Sequence, residues 1–218
     1  MASSLVRSRL EDNDDQEGMK KMKTSRKGKV VIVTGVPGVG KTTVLSAALE
    51  ICKQSSVQVD LVNYGNIMFE EASKSGLVKA RDEMRRLPVK DQVRLQLSAA
   101  ESIKSMAEKG NVILDTHMFI NTPQGFMPGI PSWVAETLKP DSIVLLEAPP
   151  EEISARRKKD AAIRAREADE PWRITEHQLL GRSGAASIAV QTGCTVAIAH
   201  NMEGKHMEAA KVIADLLR

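Results

Sequence analysis

Eight consecutive residues carry the plainest chemistry in this chain: Gly35, Val36, Pro37, Gly38, Val39, Gly40, Lys41 and Thr42 fill the pattern Gly-x-x-x-x-Gly-Lys-Thr. A phosphate group must approach several backbone N–H groups at once, and side chains would hold it off. Gly38 and Gly40 remove that obstacle and admit unusual dihedrals. Lys41 supplies a point charge for β- and γ-phosphates, and the Thr42 hydroxyl is a ligand for Mg²⁺. The run Gly35 to Thr43 is therefore expected to cradle a nucleoside triphosphate with magnesium. A bare glycine turn with a solvated Lys41 is the alternative; the flanking sequence speaks against it.

Those flanks must place the loop. Val30 to Val33 is a β-branched apolar run, read as a buried strand, and Thr43 to Lys53 reads as a helix whose positive end lies under the anion. Further strands are expected at 57–63, 111–115, 142–147 and 194–199. Helices are expected at 64–75, 79–87, 89–108, 132–138, 171–191 and 202–217, with another entering the stretch 156–170. In 89–108, Val93, Leu97, Ala100, Ile103 and Ala107 fall on one face. The Gly- and Pro-rich segment 116–131 reads as a long loop. Strands alternating with helices imply an α/β fold: a doubly wound parallel five-stranded sheet with ligands at the carboxyl ends of the strands. The phosphate loop, Asn63 to Gly65, and Asp115 all fall at such ends.

At 218 residues the chain suits one sizeable domain. Residues 1–28 are polar, charged and without apolar period, and read as a disordered basic tail. With the eight basic and five acidic residues of the first 29 set aside, 23 of each sign remain, so the body is formally neutral. The basic cluster of the tail could meet RNA or an anionic surface; a solvated tail is the plainer reading, and nucleic acid is otherwise not expected as a partner. Cys52 and Cys194 read as reduced thiols of a cytoplasmic protein, and no pair has zinc-ligand spacing. No apolar run reaches membrane length, and no membrane partner is expected.

The phosphate chemistry is narrowed by what stands elsewhere. No guanine-reading Asn-Lys-x-Asp occurs, which argues against a GTPase switch. Two arginine clusters do occur, RDEMRR at 81–86 and ARRKKDAAIRAR at 155–166. Transfer between two nucleotides crowds negative phosphates together, and fixed cations must offset their repulsion. Arginine stays charged and grips phosphate through two N–H groups. A phosphate acceptor is already ionised, so no general base is needed.

The ordered set VVIVTGVPGVGKTT, VNYGNIMFEEA, GLVKARDEMRRL, NVILDTHMFINTPQGFMPGIP and ITEHQLLGRSGAA resembles the archaeal-type adenylate kinases. The likeness runs from Lys29 to the carboxyl terminus. It implies a P-loop NTPase core with a helical monophosphate-binding insert (about 64–88) and a short lid (about 156–171). It implies reversible transfer of the terminal phosphate of ATP to AMP, giving two ADP, with Mg²⁺ as cofactor and commonly a homotrimer. By the same likeness Gly35 to Thr43 bind ATP, and Arg81 and Arg85 bind AMP. Lys41, Arg157, Arg164 and Arg166 are the expected catalytic cations. Thr42 and Asp115 are expected near the metal, partly through water. The Gly-Asp-Met-Leu-Arg of bacterial and eukaryotic enzymes is replaced by Gly65-Asn66-Ile67-Met68-Phe69, so their AMP contacts do not transfer, and the adenine-reading groups stay unassigned. Two other functions remain open: a kinase for another monophosphate, and a nucleotide-dependent assembly factor in RNA or ribosome metabolism. His117 orients AMP or a water, or is a plain structural histidine. Glu147 reads as a strand-end charge in preference to an acid supporting the site, and Trp133 and Trp172 as packing residues.

Overall fold

The computed structural model describes residues 26–160 and 170–218. Its centre is β1 (Val30–Thr34), in which every residue is buried. A strand buried on both faces belongs in the middle of a parallel sheet covered by helices, and this one does. The sheet order is β2 (Val59–Asn63), β3 (Asn111–Asp115), β1, β6 (Ser142–Glu147), β7 (Thr195–His200). All four pairings are parallel, with Ile32 registered against Leu114 on one side and Ile143 on the other. The five expected strands are all present.

Period-two alternation divides the core. Val31 and Val33 of β1 pack with Val44, Leu45 and Ala48 of α1 (Lys41–Gln54) and with Ala210 and Ile213 of α7 (His206–Leu216). Val30 and Ile32 pack on the other face, against α3 (Val89–Ala107), α4 (Ser132–Leu138) and α6 (Pro171–Thr192). The remaining helices are α2 (Tyr64–Lys74) and α5 (Pro150–Asp160), with a 3₁₀ turn at Arg81–Arg86. Asn63 caps α2, its side chain accepting from Asn66 N at 3.1 Å. None of the described helices is long and apolar enough to cross a membrane.

Two expectations need correction. The segment 116–131 is not a plain loop: it holds a hairpin of β4 (Phe119–Thr122) and β5 (Gly125–Pro128). Its Gly and Pro content hides the pairing, which is secured from outside when His177 of α6 meets the Phe119 carbonyl at 3.0 Å. On α3 the buried stripe is Leu95, Gln96, Ala99, Ala100, Ile103 and Ala107, while Val93 and Leu97 are only partly covered. Periodicity passes over Gln96 because it is polar. Trp133 and Tyr64 both hydrogen-bond to it and make its burial tolerable.

The body also begins earlier than residue 29. Arg26 pairs with Asp141 and donates to the Leu138 carbonyl at 2.6 Å, and Gly28 N donates to Ala107 O at 2.9 Å. Asp141 Oδ2 in addition accepts from Val30 N at 2.7 Å, holding the start of the central strand. Replacing Asp141 by Ala leaves a buried N–H without its acceptor. A loss of about 1–3 kcal/mol is expected in urea denaturation. A loss under about 0.5 kcal/mol would show that Asp141 is an ordinary surface residue.

Candidate active site

The phosphate loop bridges β1 and α1, as the sequence requires. Gly38 and Gly40 sit at φ +87° and +92°, a region that side-chain-bearing residues rarely enter. Two of the loop's carbonyls are tied down by donors from distant elements. Pro37 O accepts from Arg157 Nε at 2.8 Å. Val39 O accepts from Arg156 Nη1 at 3.1 Å and from the buried Asn201 amide at 2.8 Å. Occupied carbonyls matter here, because a free carbonyl dipole beside a polyphosphate would repel it.

Lys41 Nζ forms an ion pair with Asp115 Oδ1 at the end of β3. The other carboxylate oxygen accepts from Asn63 Nδ2 at 2.8 Å. Asn63 in turn accepts through Oδ1 from Arg81 Nη2 at 3.1 Å, and Asn66 Oδ1 accepts from Arg81 Nη1 at 2.7 Å. A continuous polar chain thus joins the phosphate loop to the first arginine cluster.

A cleft of about 580 Å³ opens along this chain. Pro37, Asp115 and Arg157 line one side; Arg81 and Arg85 line another. Arg85 has no hydrogen-bond partner among the described residues. Arg157 is only 5% exposed and ends α5 against the loop backbone. It is therefore a seated cation, placed with the loop before any lid enters. Arg164 and Arg166, and most of the expected lid, lie outside the described residues. Thr42 and Thr43 open α1 on its exposed side.

His117 also lines the cleft. Burial lowers its pKa to about 4, and the nearby Lys41 pushes the same way while Asp115 opposes. At neutral pH it is an uncharged imidazole that can share a hydrogen bond, not a further cation. Glu147 is held at the end of β6 by a two-point contact from Arg182, at 2.8 and 2.5 Å. Trp172 is 61% exposed with Arg173 over its ring, so it is not a packing residue.

Several contributors carry no sequence signal. Asn201 and His177 look like surface residues of their loop and helix, and only the folded chain brings them to the phosphate loop and the hairpin. Gln92 and Gln96 line the cleft from α3 and likewise read as solvated helix positions.

Gly65 marks a close approach: a Cβ there would collide with the guanidinium of Arg81. Gly65→Ala should therefore displace Arg81 while leaving the fold sound. Alanine in a helix gains roughly 0.5–1 kcal/mol over glycine, so the urea midpoint should hold or rise. Titration with AMP should meanwhile show about tenfold weaker binding. Unchanged AMP binding would place Arg81 outside the phosphate site.

A family model described as an AAA domain matches residues 34–175. An adenylate kinase of Methanocaldococcus jannaschii is 43% identical over 192 residues, spanning 88% of this chain and 100% of that protein. One of Methanoculleus marisnigri is 47% identical over 174 residues, spanning 80% and 90%. Among solved structures, a shikimate kinase from Acinetobacter baumannii in complex with shikimate aligns with a TM-score of 0.52 at 15% identity, over 89% of this chain and 96% of that one, a likeness of fold. Loop geometry, sheet order and these relatives agree: the chain belongs to the adenylate kinase family, the P-loop kinases that move phosphate from ATP to AMP.

Proposed function

We propose that ATP lies on the loop Gly35–Thr43 and AMP lies with its phosphate against Arg81 and Arg85, so that the cleft between them is the site of transfer. One observation carries this reading: Arg81, Arg85 and Arg157 line the same cleft as Asp115, whose carboxylate holds Lys41. An AMP phosphate oxygen attacks the γ-phosphorus in line, the bond from γ-phosphorus to the β–γ bridging oxygen breaks, and ADP forms on both sides. The attacking oxygen is already ionised, so no residue has to remove a proton. What the protein supplies is charge and alignment. Lys41 faces the bridge, where negative charge grows, and Arg157 stands between the two phosphate chains.

The residues present fit a magnesium ion. Thr42 would hold it through its hydroxyl and Asp115 through its carboxylate, both hard oxygen donors of the kind this ion takes. Both Asp115 oxygens are engaged, by Lys41 and Asn63, which suits a carboxylate that holds metal-bound water. When bound, the ion neutralises charge on the β- and γ-phosphate oxygens. We place the protein in the cytoplasm, a reading supported by two buried cysteines that are both unpaired. We also propose a homotrimer. Its support is an edge strand, β7, that leaves Val196 and Ile198 38% and 40% exposed. Light scattering after size exclusion tests that number.

Arg85→Ala should raise the KM for AMP by about 10- to 150-fold, the worth of a charge-assisted contact of about 1.5–3 kcal/mol, and move that for ATP little. Equal loss for both nucleotides would put Arg85 elsewhere. Lys41→Met should abolish turnover, read by coupled ADP formation, with the circular dichroism of the wild type. Near-normal turnover would remove the loop from the mechanism. The same assay run with AMP, CMP, UMP and GMP separates an adenylate kinase from a broader monophosphate kinase.

A further inference from the structure

Period-two alternation places Thr34 on the same face of β1 as Val30 and Ile32, the face turned to α6. Thr34 is registered against Leu145 of β6, and Glu147 stands two residues beyond Leu145 on that same face. Thr34 is 1% exposed, and its hydroxyl has no hydrogen-bond partner among the described residues. A buried hydroxyl left unpaired is destabilising, and native folds seldom hold one without a partner.

The space beside that hydroxyl supplies room for one. Thr34 lines a small cavity between β1, β6, the hairpin and α6, with about 20 Å³ open to the centre of a water molecule. A single water needs about 10–15 Å³ of such room. Val36, Met118 and Leu146 give it apolar walls, and Thr34, Glu147, His177 and Gln178 are its polar side chains. Phe119 and His177 line both this cavity and the larger cleft, and so stand between the two. The cavity lies behind the first residues of the phosphate loop, apart from the positions proposed for either nucleotide.

The polarity of the walls is fixed from outside. Ala148 N donates to Gln178 Oε1 at 3.3 Å. A backbone N–H can only donate, so the amide oxygen faces it, and Gln178 Nε2 is the end left over, a donor. Both Glu147 oxygens accept from Arg182, and each keeps a second lone pair. The Thr34 hydroxyl can donate or accept. An amide N–H in the wall is wrong for a cation, and a carboxylate is wrong for an anion. A neutral molecule that both donates and accepts suits all three, and buried waters typically make about three hydrogen bonds.

We propose that one water molecule is a fixed part of this fold: it accepts from Gln178 Nε2, donates to the Glu147 carboxylate and pairs with the Thr34 hydroxyl. It ties the end of β1, where the phosphate loop begins, to α6. It also accounts for the residue type: the strand runs through four valine and isoleucine positions and then ends in a threonine of similar shape, whose added feature is the hydroxyl.

The test begins with a crystal structure of the intact protein at a resolution that shows ordered waters. A single peak is expected within about 2.6–3.2 Å of both Thr34 Oγ1 and Gln178 Nε2. A cavity without density overturns the proposal. Thr34→Val keeps the shape and removes the hydroxyl. With the water in place, Gln178 and Glu147 lose their partner, and the urea midpoint should fall, by about 0.5 M. In a dry cavity the same change removes an unpaired polar group; a midpoint that holds or rises therefore overturns the proposal. Thr34→Ser keeps the hydroxyl and should keep the density peak that Thr34→Val loses. Gln178→Leu should also lower the midpoint, and the double variant with Thr34→Val should lose less than the sum, because both single changes act on the same water. Additive losses overturn the shared site. Should a variant fail to fold, the wild-type crystal structure decides by itself.

Discussion

The cleft depends on the carboxylate of Asp115. Lys41, Arg81, Arg85 and Arg157 gather four positive charges around one space meant for phosphate. Those cations repel one another. Asp115 sits among them at the end of β3 and divides its two oxygens between Lys41 and Asn63. Through Asn63 it reaches Arg81 and the first turn of α2. One partly buried acid thus offsets that charge and ties the two halves of the cleft together.

How far the sequence discloses this varies by residue. The loop is plain because phosphate chemistry tolerates few residue types at that spacing. The central strands are plain because Val30 to Val33 and the run at 142–147 are apolar on both faces, which a solvent-facing strand cannot be. The cations at Arg81, Arg85 and Arg157 announce themselves by charge and density. What stays hidden is every contact between residues far apart in the chain. Gln96 has no reason to be buried until Trp133, 37 residues on, lends its indole N–H. The hairpin at Phe119–Pro128 is masked by Gly and Pro and is fixed through His177, 58 residues away. Trp172 misleads in the other direction: its size suggests packing, yet its place at the start of α6 leaves it in solvent. Residue type reports local chemistry well; it reports partners only when their spacing is stereotyped.

The sheet topology adds its own constraint. β1 lies in the middle and β7 at an edge, so the strand that carries the loop is flanked by β3 on one side and β6 on the other. The site residues inherit that arrangement. Asp115 comes from β3 on one side of β1, while Arg156 and Arg157 come from the helix after β6 on the other. Parallel pairing puts the carboxyl ends of all these strands on one rim, and the register of Val33 with Asp115 sets the acid level with the loop's entry.

The amide of Asn201 gives the molecule a birth order. It holds the Val39 carbonyl from 162 residues downstream, and its own backbone N–H donates to Glu147 O at 2.7 Å. A ribosome adds about 5–20 residues each second, so roughly ten seconds or more separate the synthesis of the loop from that of the residue that braces it. Throughout that interval the nascent chain carries the full phosphate-binding sequence but not the finished cradle. The brace of the loop is thus among the last parts of the molecule to be made.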